Sequence, residues 1–141
     1  MTRLDRRAQI IAVSLALLAG FVDGIGFVSL GGFFVSFMSG NSTRLGVGLT
    51  HDLTYALTAL GLIAAFVAGA AAGSLIGHAA AHHRRSAVLL TVALLLALAA
   101  LLDGFGVAAA AAALMAFAMG AENATFEEGG ETRVAITYMT G

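Results

Sequence analysis

Asp23 is the first residue of the chain whose type and setting point to chemistry, because it interrupts an apolar stretch. Ala8 to Val22 carry no formal charge, and Ile25 to Leu30 continue the apolar run. An ionisable group within a membrane helix costs about 2.5 to 3.5 kcal/mol, so it is expected to face protein or water and to serve function. The alternative is structural: Asp23 caps a helix break at Gly24 or pairs with Arg44.

A second set of polar residues follows a short apolar run that ends at Met38. It consists of Ser39, Gly40, Asn41, Ser42, Thr43 and Arg44. Hydroxyls, an amide and open backbone could hold a small polar solute or an ion, and Arg44 could neutralise an anionic group or pair with Asp23. The alternative is a helix start that Ser or Asn caps.

A third set lies about a hundred positions further on and echoes the first two. Its members are Glu122, Asn123, Tyr138 and Thr140. The same two interpretations, a polar cavity or capped helix ends, apply to it.

The remaining polar residues favour no metal, no cofactor and no enzyme. His82 and His83 have no third ligand at a suitable spacing, and no motif joins a nucleophile to its base. The seven basic residues are scattered and the net charge is −1, so we expect no nucleic-acid partner.

The composition places these residues in a membrane. Hydrophobic residues make up 60% of the chain and charged residues 11%, against roughly 45 to 50% and 25% in a soluble domain. Such a chain could not cover its core with polar surface, so lipid is the expected partner.

Hydrophobic patterning predicts an all-α, polytopic transmembrane bundle in a single domain. The predicted helices cover about 8–31, 53–81, 86–102 and 105–121, and 122–141 forms a polar loop and the start of an incomplete second repeat. Glycine and small polar residues make 33–49 a broken or re-entrant segment. The rival interpretation is an ordinary helix from about Gly26 to Leu49.

Arginine sets the expected orientation. The basic N-terminus and the Arg84-Arg85 loop should both face the cytoplasm, because short basic loops stay inside. An even number of crossings must separate them, which favours a re-entrant segment at 33–49.

Small residues spaced by four form a stripe on the 53–81 helix, at Gly61, Ala65, Gly69, Gly73 and Gly77. Residues at i and i+4 share a helix face, so the stripe predicts close packing with another helix. That helix could belong to the same chain or to a second copy in a homo-oligomer.

Several of these residues carry a family resemblance. Gly20-Phe21-Val22-Asp23, Met38-Ser39-Gly40-Asn41, Gly120-Ala121-Glu122-Asn123 and Tyr138-Met139-Thr140-Gly141 resemble the YoaK family of bacterial membrane proteins, a domain of unknown function. Members commonly have Thr-Gly-Asn and Gln-Asn where this chain has Ser39-Gly40-Asn41 and Glu122-Asn123. Members are also longer, so the resemblance implies that this chain is truncated at its C-terminus. It further implies that the protein lies in a bacterial cytoplasmic membrane.

The echoed motifs suggest the inverted-repeat plan of many secondary transporters, whose sites lie where broken helices meet. The functional hypothesis is therefore a transporter or permease for a small polar solute or ion. The alternative is a membrane scaffold that assembles through its glycine stripe without transporting anything.

Overall fold

Five α-helices build the part of the chain that the computed structural model describes, residues 6–128 and 131–132. They are α1 (Arg6–Ser29), α2 (Met38–His51), α3 (Leu53–Ala79), α4 (Arg84–Gly104) and α5 (Ala108–Glu122). Short 3-10 turns occupy Ala81–His83 and Asn123–Phe126, and two-residue strands β1 (Glu127–Glu128) and β2 (Glu131–Thr132) pair antiparallel. The predicted all-α helical bundle is confirmed.

Three helical stretches are long and apolar enough to cross a membrane: α1, α3 and Ala81–Gly104. In the most apolar 18 residues of each stretch, only 33%, 22% and 17% respectively are buried inside the protein. Large side chains such as Leu17 and Leu75 are more than two-thirds exposed, at 71% and 72%. Lipid is the solvent that covers so much outward-facing apolar surface at low cost.

The long helices alternate in direction. Early in α1, Ala12 and Leu15 pack with Leu89 near the start of α4, whereas the later Val22 lines a cavity with Ala99 near the end of α4. α1 and α4 therefore run parallel. Their starts, which carry Arg6 and Arg7 and then Arg84 and Arg85, lie at one end of the bundle, called here the arginine end.

Helices α3 and α5 also run parallel to each other and approach closely. A Cβ atom at Gly73 would lie 2.6 Å from the Ala121 carbonyl oxygen, and one at Gly69 would overlap the Phe117 carbonyl. Gly120 faces α3 in the same way. Backbone packing of this kind requires small residues at the interface.

The glycine stripe is therefore divided between different surroundings. Gly69 and Gly73 lie against α5, and Gly77 lies against the Arg84 side chain, whose Nε would be 2.8 Å from a Cβ atom at this position. Gly61 is exposed, with open space where a Cβ atom would be.

Helix α1 ends in a glycine-dependent turn. Gly31 and Gly32 have φ values of 65° and 106°, and the Gly32 amide donates to the Phe27 carbonyl at 2.8 Å. This six-to-one bond is the Schellman pattern, which closes a helix and turns the chain aside. An irregular stretch then leads to α2.

The segment predicted as broken or re-entrant, 33–49, is thus irregular at first and helical afterwards. With 14 residues, α2 is about 21 Å long, short of the roughly 30 Å of a bilayer core. A single residue, Asp52, separates α2 from α3, and its Oδ1 accepts from the amides of Thr54 and Tyr55 at 2.9 and 3.2 Å. This cap starts α3 directly beside the end of α2.

Candidate functional site

The Asp23 carboxylate lies in α1 facing the irregular stretch before α2. Its Oδ1 accepts from the amides of Val35 and Ser36, both at 2.7 Å. Its Oδ2 accepts from the Ser36 hydroxyl at 2.8 Å and from the Phe37 amide at 3.1 Å. A carboxylate offers about four acceptor positions, so Asp23, which is 7% exposed, is fully satisfied.

Asn41 holds the same stretch from the first turn of α2. Its Oδ1 accepts from the Phe34 amide at 3.0 Å, and its Nδ2 donates to the Phe34 carbonyl at 2.7 Å and to the Met38 sulfur at 3.7 Å. The side chain is completely buried. We call residues 34–37, bound by Asp23 and Asn41, the clamped segment.

The contacts of the clamped segment supply hydrogen-bond partners to backbone that lies outside regular secondary structure. Its four successive amides would otherwise be left without partners, and each unpaired buried amide costs about 1 to 3 kcal/mol. Two side chains, one anionic and one neutral, supply every acceptor. In this conformation Asp23 and Asn41 therefore hold backbone and leave no free atom for a solute.

Arg44 stacks on aromatic rings and does not contact Asp23. Its guanidinium carbon lies 4.5 Å from the Phe34 ring centre and 5.8 Å from that of Phe27, and its Nη1 donates to the Gly40 carbonyl at 3.1 Å. Cation–π contacts of this kind stabilise a guanidinium that has left water. The predicted pairing of Arg44 with Asp23 is absent from the described structure, because backbone amides already occupy the carboxylate.

The other predicted residues of this set divide by burial. Gly40 is buried, and a Cβ atom there would lie 2.6 and 2.8 Å from the rings of Phe37 and Phe34. Ser39 and Thr43 are exposed, and the Thr43 hydroxyl donates to the Ser39 carbonyl at 3.2 Å within α2. The structure brings Asp23, Gly40 and Asn41 to the clamped segment and leaves Ser39 and Thr43 on the outer face.

A groove with a volume of about 560 Å³ runs beside this cluster. It is lined by Gly20, Asp23, Gly24, Phe27, Val28, Phe34 and Phe37. Its walls are mainly apolar and aromatic, and Asp23 is the acidic residue among them. A solute in the groove would contact Asp23 and the Phe34 and Phe37 side chains of the clamped segment.

Glu122 and Asn123 lie elsewhere, at the end of α5 beside the arginine end. Glu122 is fully buried, and neither of its carboxylate oxygens has a hydrogen-bond partner among the described residues. Asn123 donates from Nδ2 to the Met119 carbonyl at 3.5 Å. The predicted companions Tyr138 and Thr140 lie outside the described residues.

One known protein family matches nearly the whole chain. The family described as "Protein of unknown function (DUF1275)" matches residues 11–141. The chain belongs to this family. No curated protein and no solved structure matches it. With three helices able to span a bilayer, this DUF1275 member is a membrane protein of unknown function.

Two buried polar residues of this DUF1275 structure were not predicted from the sequence. Ser36 is the one hydroxyl donor to Asp23 among the described residues. Thr125 is 1% exposed, and its hydroxyl oxygen has no hydrogen-bond partner among the described residues. Ser36 was hidden within an apolar run, where an isolated serine carries little signal. Thr125 lies three positions after Glu122, a spacing that places two residues on one helix face and could have drawn notice.

Proposed function

We propose that this DUF1275 member is a transporter or permease for a small polar solute or an ion, and not an enzyme. We place it in the bacterial cytoplasmic membrane, as its resemblance to the YoaK family implies, with the arginine end and the N-terminus facing the cytoplasm. Basic short segments stay on the cytoplasmic side, and Arg6, Arg7, Arg84 and Arg85 share one end of the bundle.

The observation that carries the proposal is the clamped segment itself. Non-helical backbone within a membrane domain is tolerated where protein or a water-filled cavity covers it, and it marks the binding sites of many transporters. Here an ionisable side chain from a bilayer-length helix holds such a segment by four hydrogen bonds. An alanine or valine at position 23 would pack in an inert bundle at a lower cost of insertion.

The same contacts suggest how a solute site could open. If the clamped segment moves away from α1, the Asp23 carboxylate and the amides of residues 35–37 lose their mutual partners. A polar solute that enters from the neighbouring groove could then replace them, with its donors on Asp23 and its acceptors on the amides. Solute would thereby stabilise the open arrangement over the clamped one, as a transport cycle requires.

Flux into proteoliposomes tests this proposal. The purified full chain is reconstituted and supplied with a panel of labelled amino acids, sugars, organic acids and inorganic ions. We expect at least one to enter faster than into empty vesicles, and we expect Asp23→Asn to abolish that entry. Asp103→Asn, which neutralises an exposed aspartate beside the α4–α5 turn, is the matched control and should transport normally.

Two results would refute the proposal. One is an absence of flux for every solute from wild-type protein that is folded and monodisperse before reconstitution. The other is a flux that Asp23→Asn leaves unchanged.

A membrane scaffold is the second candidate, and Gly61 favours it. This glycine is exposed on α3 and has open space around it, whereas α5 of the same chain already covers Gly69 and Gly73. A second copy that packs on α3 would therefore use Gly61. The scaffold predicts that Gly61→Leu abolishes association in membranes and that Asp23→Asn has no effect on it.

A further inference from the structure

Glu122 stands out because it is buried without any partner. It ends α5, its side chain has no exposed surface, and neither carboxylate oxygen accepts a hydrogen bond within the described chain. Thr125, one turn further on, has a buried hydroxyl oxygen that is equally unpartnered. Two unsatisfied oxygen-bearing groups therefore lie on one helix face.

The surroundings of Glu122 are tightly packed. The preceding residue, Ala121, contacts Gly73 of α3 backbone to backbone, and Met119 and Val88 are fully buried in the same core. The turn after Glu122 is held by Arg84, whose Nε donates to the Ala124 carbonyl at 3.1 Å.

Charged and titratable groups of the packed elements are engaged elsewhere or face outward. His78 of α3 is exposed and bonds to the Ser74 carbonyl at 2.7 Å, and Asp23 of α1 is bound to the clamped segment. Arg84 lies against Gly77 and Ala124. Six further groups are exposed: Arg6, Arg7, His82, His83, Arg85 and Asp103. Tyr55 of α3 is half-buried against Phe33, at the end of α3 far from Glu122. Among the described side chains, none forms an ion pair or a hydrogen bond with Glu122.

A bare carboxylate in such a place is too costly to persist. Even after relaxation, an uncompensated buried charge costs several kcal/mol, comparable with the whole stability of many proteins. Because no described side chain balances this charge, we take it to be removed by a proton or balanced by a metal cation. Hard cations such as Ca²⁺ and Mg²⁺ require about six or more oxygen ligands, and the described residues contain no cluster of three ligand-type side chains.

We propose that Glu122 is a proton-binding site, with the Thr125 hydroxyl as its neighbouring polar group. The carboxyl group holds the proton in the conformation described here. Release of the proton would create a charge that the packed site cannot accommodate, so α5 and the turn after it must move to bring water or a cation to the carboxylate. Protonation at Glu122 is thereby coupled to the packing of α5 against α3 and α4, whatever solute the protein carries.

Infrared difference spectroscopy tests this inference on the purified full chain in lipid nanodiscs, at successive pH values. A protonated carboxyl group without hydrogen bonds has a carbonyl band distinct from that of a carboxylate. We expect wild-type protein to show this band, Glu122→Gln to lose it, and Asp103→Asn to retain it. We also expect the wild-type band to disappear as the pH is raised far enough.

Two spectroscopic results would overturn the inference. The first is a spectrum that Glu122→Gln leaves unchanged at every pH, which would mean that Glu122 is charged throughout. The second is loss of the wild-type band on addition of Na⁺, K⁺ or Mg²⁺ at constant pH, which would assign the site to a metal cation.

A second measurement needs no variant, in case Glu122→Gln does not fold. Dicyclohexylcarbodiimide enters the lipid phase and reacts with protonated carboxyl groups to leave a stable adduct. Mass spectrometry of wild-type protein should find that adduct on the peptide that contains Glu122, in an amount that falls as the pH rises. Adducts found only on other acidic residues would contradict the inference.

Neither measurement depends on solute flux. The proton site can therefore be refuted while the transport proposal stands, and the transport proposal can be refuted while the proton site stands.

Discussion

Two carboxyl groups of this chain are buried in opposite ways. Asp23 receives four hydrogen bonds, and bonds to a charged group each contribute about 1.5 to 3 kcal/mol. Glu122 receives none from the described residues and is buried by packing alone. Asp23 is thus suited to organise backbone through its hydrogen bonds, and Glu122 to exchange a proton. Residue type alone would not have separated these two roles.

The clamp formed by Asn41 gives a prediction at this scale. Asn41→Ala removes both bonds to Phe34 and leaves a buried amide and carbonyl without partners, so we expect it to lower the free energy of unfolding by about 2 to 4 kcal/mol. The adjacent Ser42→Ala removes an exposed hydroxyl that bonds only the Met38 carbonyl, and should change stability by less than about 0.5 kcal/mol. Denaturant unfolding of both variants in the same detergent measures the difference. Equal stabilities would show that Asn41 does not hold the clamped segment.

At the scale of elements, the sequence predicted what depends on local pattern. Long uncharged runs indicated the three bilayer-length helices, and the first was predicted to end near residue 31, close to its end at Ser29. The clamp could not be predicted in detail, because Asp23 meets residues 35–37 through a contact that follows from tertiary packing. The sequence likewise indicated a packing stripe on α3 but could not identify which helix covers which glycine.

The α3–α5 interface gives the prediction that belongs to this scale. Gly73→Ala places a methyl group 2.6 Å from the Ala121 carbonyl oxygen, so the helices must separate, and overpacking of this kind typically costs about 1 to 3 kcal/mol. Gly61→Ala, on the same helix and in the same stripe, meets nothing within 4 Å. It should be neutral or stabilising by up to about 1 kcal/mol, because alanine favours helix over glycine. Unfolding measurements on the pair would contradict this packing if Gly73→Ala were as stable as Gly61→Ala.

At the scale of the whole molecule, the directions of the helices and the positions of the arginines indicate the same topology. α1 and α4 start together at the arginine end, and α3 returns to that end between them. The irregular stretch and the short α2 therefore connect two antiparallel helices, and we expect them to add no net crossing. Ser29 at the end of α1 lines the same cavity as Asp103 at the end of α4, as this arrangement requires.

Single-cysteine labelling tests this arrangement, and the chain is suited to it because it has no native cysteine. Three exposed positions are chosen: Thr50 just before α3, His82 at the arginine end, and Asp103 at the opposite end of α4. A membrane-impermeant maleimide applied to intact cells should label Thr50→Cys and Asp103→Cys but not His82→Cys, which should react only after the membrane is opened. If 26–49 were instead a full crossing, two crossings would separate the N-terminus from Thr50, and Thr50 would lie on the side of the N-terminus. With a cytoplasmic N-terminus, labelling of His82→Cys but not of Thr50→Cys on intact cells would therefore refute the re-entrant arrangement, because a full crossing at 26–49 exchanges the sides of these two positions.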